Sequence, residues 1–184
     1  MNSPTDTQLM LEVRDGGLER LAPLFERHHV PLYNYYLRMT RDRELSEDMV
    51  QEVFLRILKY RHTFRGEGDF TPWLYHIARN VRIDCAKQRR HELTFDGESH
   101  DNAEDPPYRE SAEFKQSVSL LNVALARLPE EKREIILMSR YQNLKYNAIA
   151  EVLGCSVDAV KVRVHRAMNE LRQIFYQLSG ETPA

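Results

Sequence analysis

The sequence predicts an all-α protein of two small helical domains joined by a flexible acidic linker, with a helix-turn-helix in the C-terminal domain. Three observations carry this expectation. Apolar residues recur at helical spacing through both ends of the 184-residue chain. The 7 glycines and 8 prolines fall mainly between those periodic segments. Charge also divides the chain: residues 1–92 hold 15 basic and 14 acidic side chains, 93–114 hold 1 and 7, and 115–184 hold 10 and 7. A formal net charge of −2 thus averages two mildly basic blocks and an acidic strip. Domains are expected over 1–92 and 114–184, with the linker at 93–113.

In the first domain a short helix is expected over Thr7 to Val13, ended by Asp15-Gly16-Gly17. A longer one follows from Leu18 to Thr40, interrupted or bent at Pro31, which cannot donate a backbone hydrogen bond. The next spans Arg43 to Tyr60. Leu45, Met49, Val50, Val53, Phe54, Ile57 and Leu58 line one side, and Asp48, Gln51, Glu52, Leu55 and Lys59 the other. Leu55 is an apolar residue in a polar stripe. Periodicity alone favours a lone exposed leucine, which is common, over a partner contact.

A glycine-containing loop, Thr63 to Asp69, leads to Thr71-Pro72, which reads as an N-cap followed by proline at the first helical position. The helix it opens extends to Arg90. Phe70, Trp73, Leu74, Ile77, Ala78, Val81 and Cys85 face one way. Tyr75, Arg79, Arg82, Ala86, Arg89 and Arg90 face the other, flanked by His76, Asn80 and Lys87. Arginines beside an aromatic suit phosphate contact and base stacking; a solvated basic face fits equally.

Residues 93–113 hold Gly97, Pro106 and Pro107, seven acids and few apolar residues, too little to bury a core. Periodicity resumes near Phe114, with Val118, Leu121, Leu125 and Leu128 on one helix. A second opens at Pro129 and carries Ile135, Ile136, Met138 and Tyr141. In Tyr146 to Ala167, a short helix with Ile149, Ala150, Val152 and Leu153 meets Gly154, and Ser156 can cap the next helix. That helix lines Val157, Val160, Val164, Ala167, Met168 and Leu171 along one side and extends to about Leu178, before a polar tail. Small Ala150, the glycine turn and the cap together make the pattern of a helix-turn-helix. Asp158, Ala159, Val162, His165, Arg166 and Asn169 face outward, with Lys161 and Arg163 beside them. The conjunction favours reading of base edges in a major groove over a merely solvated face.

The stretch SEDMVQEVFLRIL with FRGEGDFTPWLYHIARNVRIDCAKQRR resembles the second conserved region of extracytoplasmic-function (ECF) sigma factors. LPEEKREIILMSRYQNLKYNAIAEVLGCSVDAVKVRVHRAMNELR resembles their fourth region. The resemblance runs from about Leu24 to Leu171 and implies a transcription initiation factor. It would bind core RNA polymerase through Asp48, Gln51, Glu52, Phe54 and Leu55. It would engage and melt the minus-ten promoter element through Phe64, Arg65, Gly66, Trp73, Tyr75, His76, Arg79, Asn80, Arg82, Lys87, Arg89 and Arg90, the glycine loop receiving an unpaired base. It would read the minus-thirty-five element through Ser156, Asp158, Lys161, Val162, Arg163, His165 and Arg166. The linker would thread the polymerase cleft, and an anti-sigma protein is a further implied partner. Two positions depart from the family: Ala148 stands for a common glutamate, and Val162 for a small hydroxyl residue.

An enzyme is not expected. The seven histidines show no HExxH or comparable metal-ligand spacing. Cys85 lies on an apolar helical face, Asp84 has arginines to pair with, and there is no phosphate-binding glycine loop. No metal or cofactor is expected. Cys85 and Cys155 lie far apart with no CxxC spacing, so neither a disulfide framework nor a zinc site is expected. With no basic-led apolar N-terminus and no run of ~20 apolar residues, a cytoplasmic location is expected. The rival reading is an autonomous helix-turn-helix repressor or activator, with 1–92 as a sensor or dimerisation domain.

Overall fold

A computed structural model of the chain describes residues 3–93 and 112–180, and these are helical with short connections. The expected acidic linker thus lies almost wholly outside the described residues.

α1 (Asp6–Arg14) starts with a reciprocal capping box: Thr5 Oγ1 accepts from Gln8 N at 3.2 Å, and Gln8 Oε1 accepts from Thr5 N at 2.8 Å. A 3₁₀ turn at Leu18–Arg20 leads into α2 (Leu21–Thr40). α2 runs through Pro31 without interruption, one of the two outcomes expected of that proline. Leu24 before it and Leu32, Tyr35, Tyr36 and Met39 after it are all buried, and packing on both flanks outweighs one missing hydrogen bond. The helix ends where Arg41 turns left-handed at φ 60°.

Asp42 accepts from Leu45 N at 3.0 Å and so caps α3 (Arg43–Tyr60). α4 (Phe70–Leu93) begins one residue ahead of the expected Thr71 cap. Its first free amide, Phe70 N, is accepted by Thr7 Oγ1 from α1 at 3.2 Å, so a tertiary partner replaces the local one.

In the second half Arg133 closes the end of α5 (Ala112–Arg127). It donates to the carbonyls of Leu125 at 2.9 Å, Ala126 at 2.6 Å and Leu128 at 3.1 Å. α6 (Glu130–Ile136) widens into a π-helical turn, Leu137–Tyr141. α7 (Tyr146–Leu153) and α8 (Val157–Ser179) form the helix-turn-helix. Gly154 takes φ +62°, a conformation that a side chain disfavours, and Ser156 Oγ accepts from Ala159 N at 3.1 Å. Ile149, Ala150, Val160, Val164 and Ala167 fill the space between the two helices.

The two halves do not stand apart. α4 packs on α7, and α2 packs on α5, α6 and the π turn. Polar bonds cross the seam: Arg133 Nη1 to Met39 O at 2.9 Å, Gln142 Nε2 to Pro31 O at 3.1 Å, and Tyr75 Oη to Gln142 Oε1 at 2.6 Å. The Arg38 guanidinium lies 4.5 Å from the Tyr141 ring centre.

Candidate functional site

Three surfaces hold the residues singled out from the sequence. On α3, Asp48 and Gln51 are exposed, Glu52 is half-buried, and Leu55 is 60% exposed. Phe54 is not part of that surface. It is buried, with its ring edge-on to Phe25 at 4.9 Å, because its position belongs to the apolar stripe. Phe25 of α2 is itself 41% exposed, an aromatic against Phe54 that the sequence reading missed. Glu52 and Asp84 each hold Arg56 at 2.7 Å. Burial opposes the Arg56 charge, but hydrogen bonds to the two carboxylates win and raise its pKa.

The second surface is the loop before α4 and the helix itself. Phe64 is buried, with rings of Trp73 and Phe70 at 5.2 and 6.1 Å, so it anchors the loop rather than facing a ligand. Gly66 takes φ +74°, and a Cβ there would lie 2.8 Å from Leu11 Cδ2 on α1. Arg65 and His76 are exposed, and Asn80 is half-buried, 3.4 Å from His76 Nδ1. Arg65, Gly66, Trp73 and His76 border a cleft of about 310 Å³, whose lining also includes Glu151 of α7 but not Asn80.

Further along α4 the first part of the expected outward face is covered. Tyr75 is 3% exposed and Arg82 7%, while Arg79 is half-buried. Helical periodicity set this stripe opposite the first half's core, and the second half then packed over it. Glu134 of α6, 2% exposed, lies at the centre. Its carboxylate accepts from Arg82 Nη2 at 2.9 Å, Tyr35 Oη at 3.1 Å and Arg79 Nε at 3.3 Å. Glu130 also pairs with Arg82. Burial, reinforced by the Glu134 charge, pushes the Tyr35 hydroxyl pKa far above its ordinary value; burial alone does the same to Tyr75. Lys87 and Arg89 remain exposed, with Arg89 3.2 Å from Asp42. Arg90 lies on α4, but its side chain falls outside the described residues.

Glu134, Gln142 and Tyr35 escaped the sequence reading. A signal existed in Glu134-Ile-Ile-Leu-Met138, more than one helical turn with four apolar residues. A helix apolar all round is buried, which places Glu134 inside.

The third surface, the outer side of α8, is open. Asp158, Lys161, Val162, Arg163, His165 and Arg166 are exposed, with Val162 at 48%. Ser156 is occupied as the cap, Asp158 pairs with Lys161 at 2.9 Å, and His165 meets Asn169 at 3.1 Å. Val157, placed by periodicity on the core side, is 38% exposed because it opens the helix before the packed turns begin. Among the described residues no group of three or more His, Cys, Asp or Glu side chains could hold a metal ion, and no helix is long and apolar enough to cross a membrane.

A helix-turn-helix with an open cationic face, joined to a helical half bearing a loop cleft and an apolar-centred patch, defines a DNA-binding protein with a second binding face. Comparison with known proteins agrees. Residues 24–92 match the family model for Sigma-70 region 2, and residues 119–171 that for Sigma-70, region 4. The RNA polymerase sigma factor CarQ of Myxococcus xanthus is 29% identical over 174 residues, covering 94% of this chain and 98% of that protein. The ECF RNA polymerase sigma factor SigX of Bacillus subtilis (strain 168) is 30% identical over 161 residues, covering 84% of this chain and 83% of that one. CnrH, solved in complex with the cytosolic domain of CnrY, shares the fold with TM-score 0.70 at 22% identity, over 92% of this chain and 96% of that chain. RpoE, solved with the anti-sigma factor NepR from Bartonella quintana, shares it with TM-score 0.71 at 22% identity, over 84% and 95%.

The chain belongs to the ECF subfamily of sigma-70 type RNA polymerase sigma factors. It is an RNA polymerase sigma factor that directs promoter-specific transcription initiation, and sigma factors act as initiation factors without catalysis.

Proposed function

We propose that residues 1–92 bind core polymerase and the minus-ten element, that 93–113 thread the polymerase, and that 114–184 read the minus-thirty-five element. The chain works in the cytoplasm, beside the polymerase, and has no enzymatic activity. Asp48, Gln51, Glu52 and Leu55 dock on the polymerase; an apolar centre ringed by polar groups suits an interface. The Gly66 loop and its cleft take an unpaired base, Trp73 and His76 frame it with Asn80 behind His76, and the α4 cations hold phosphates. Lys161, Val162, Arg163 and Arg166 face the major groove.

The observation that carries this reading is the open outer face of α8 behind a properly capped helix-turn-helix turn. By analogy with CnrH and RpoE, each solved with a protein partner, this chain is expected to take an anti-sigma protein. Run-off transcription with purified core polymerase on a genomic fragment library tests the function. Discrete start sites that require the chain are expected; tight operator binding by the chain alone, with no transcripts, would instead mean an autonomous regulator. In the same assay Leu55→Asp should lower competition for core about tenfold or more, the loss of one interface hot spot, with helical content unchanged.

A further inference from the structure

A cleft of about 550 Å³ opens between α2, the first turn of α4 and the segment that follows the π turn. Arg27, His28, Asn34 and Arg38 of α2, Thr71 of α4 and Tyr141 are among its walls. The volume falls in the range of roughly 300–1,000 Å³ that small-ligand sites occupy. Charge sets this cleft apart. No carboxylate lines it, whereas Glu67, Asp69 and Glu151 line the loop cleft, and Asp48, Glu52 and Asp84 the groove between α3 and α4. Asp6 stands outside the lining and holds Arg27 at 2.6 Å and His28 at 2.8 Å, which offsets one positive charge. Arg38 has no such partner among the described residues, and its charge is left over.

Arg38 is also held ready. Its guanidinium lies against the Tyr141 ring, 4.5 Å from the centre, and its Nη1 donates to the Asn34 carbonyl at 3.2 Å. These two contacts fix the plane of the group. The Nε–Nη2 edge is the fork that takes the paired oxygens of a phosphate or carboxylate. Nε is buried and has no acceptor, and an unpaired buried donor is costly. An oxyanion on that edge would satisfy it. Thr71 lies in the first turn of α4, at the positive end of the helix dipole, which favours an anion there.

We propose that this cleft is a binding site for a small phosphate-bearing anion: two oxygens sit on the Nε–Nη2 edge of Arg38, Arg27 and His28 lend further positive charge, and the amino end of α4 adds its dipole. Phosphate suits the cleft better than carboxylate. After Arg38 has taken two oxygens, a phosphate keeps others for Arg27 or Thr71, and a carboxylate keeps none. Tyr141 and Asn143 come from the second half, so the bound anion touches both halves and its concentration shifts the stability of the whole chain. Apart from Tyr75, no residue of the cleft belongs to the surfaces assigned to polymerase or promoter. The chain would thus answer to a dissolved anion at a place separate from α8 and the polymerase face.

The test titrates the full chain with inorganic pyrophosphate and with inorganic phosphate by calorimetry, against sodium chloride at equal ionic strength. Saturable binding of one pyrophosphate and a raised Tm are expected. Arg38→Gln should weaken that binding about tenfold or more, as loss of a charge-assisted fork does. Arg38→Lys keeps the charge without the fork and should weaken it about threefold or more. Thr71→Glu sets a carboxylate in the cleft, at a helix start that tolerates one, and should also weaken binding about tenfold; it carries the test should the Arg38 variants fail to fold. Arg172→Gln, exposed on α8 and outside the cleft, should leave binding unchanged. Heats no larger than those of chloride, or equal affinity in the parent, Arg38→Gln and Thr71→Glu, would overturn the site. A short single-stranded DNA distinguishes the source of the phosphate. DNA binding that falls in Arg38→Gln while pyrophosphate does not bind the parent would assign Arg38 to a nucleic-acid strand and overturn the small-anion site.

Discussion

α4 and α8 are alike in sequence and opposite in circumstance. They are 24 and 23 residues long, and each carries an apolar stripe on one side and cations on the other. The cationic stripe of α8 is in solvent, with Arg163, His165 and Arg166 exposed and Val162 48% exposed. On α4 only the first part of the corresponding stripe lies under the second half, with Tyr75 and Arg82 3% and 7% exposed, while Lys87 and Arg89 remain in solvent. Amphipathic patterning determines which side of a helix seeks its own domain's core. It leaves the other side available to whatever surface is complementary, and an acidic helix such as α6 is complementary to arginines.

The largest effect should separate buried from exposed arginine. Arg82→Ala leaves Glu134 buried with fewer donors and should cost about 3–5 kcal/mol, as breaking a buried pair does. Arg166→Ala, on the open face, should change stability by no more than about 0.5 kcal/mol. Urea unfolding of both variants measures this, and equal losses would mean that the seam does not form in solution.

Next comes promoter reading, where the order reverses. Arg166→Ala should cost ~1–3 kcal/mol of discrimination if it contacts a base, or reduce the salt slope by about one unit if it contacts a phosphate. Val162→Ser should change the base preferred beside it, since an apolar side chain suits a thymine methyl. Transcription from templates randomised at the minus-thirty-five element distinguishes these outcomes. An unchanged preference in both variants would remove α8 from promoter reading.

The smallest effect lies where α1 braces the start of α4. Asp6 bonds Arg27 at 2.6 Å and His28 at 2.8 Å, and His28 sits edge-on to Phe70 at 5.3 Å. Burial pushes the Asp6 carboxyl up, but the hydrogen bonds from Arg27 and His28 outweigh it, and the folded pKa lies below the ordinary 3.8. The stabilisation is therefore complete above pH 3.8 and is lost as pH falls through the lower folded value. Acid titration of thermal stability should show a slightly shallower loss for Asp6→Asn. An identical curve would mean that the Asp6 contacts do not hold α1.

Much of this was legible in the chain. α3 lies at the expected Arg43–Tyr60, and Gly154 and Ser156 form the turn and cap that their residue types suit. What escaped depended on contacts between segments distant in sequence. Phe64 looks like a loop residue until Trp73 and Phe70 close around it. Pro31 could break or bend α2 until its flanks are seen to be buried. Tyr75 and Arg82 look solvent-facing because periodicity within one helix carries no information about a partner more than fifty residues away.

The asymmetry between the two helices can be measured directly by arginine footprinting of the free chain, using a dicarbonyl reagent and mass spectrometry. Arg163 and Arg166 should react quickly and Arg82 slowly, with Arg82 approaching the rate of Arg166 in Glu134→Gln. Reaction of Arg82 as fast as Arg166 in the parent chain would contradict the account, because α4 would then be as open as α8.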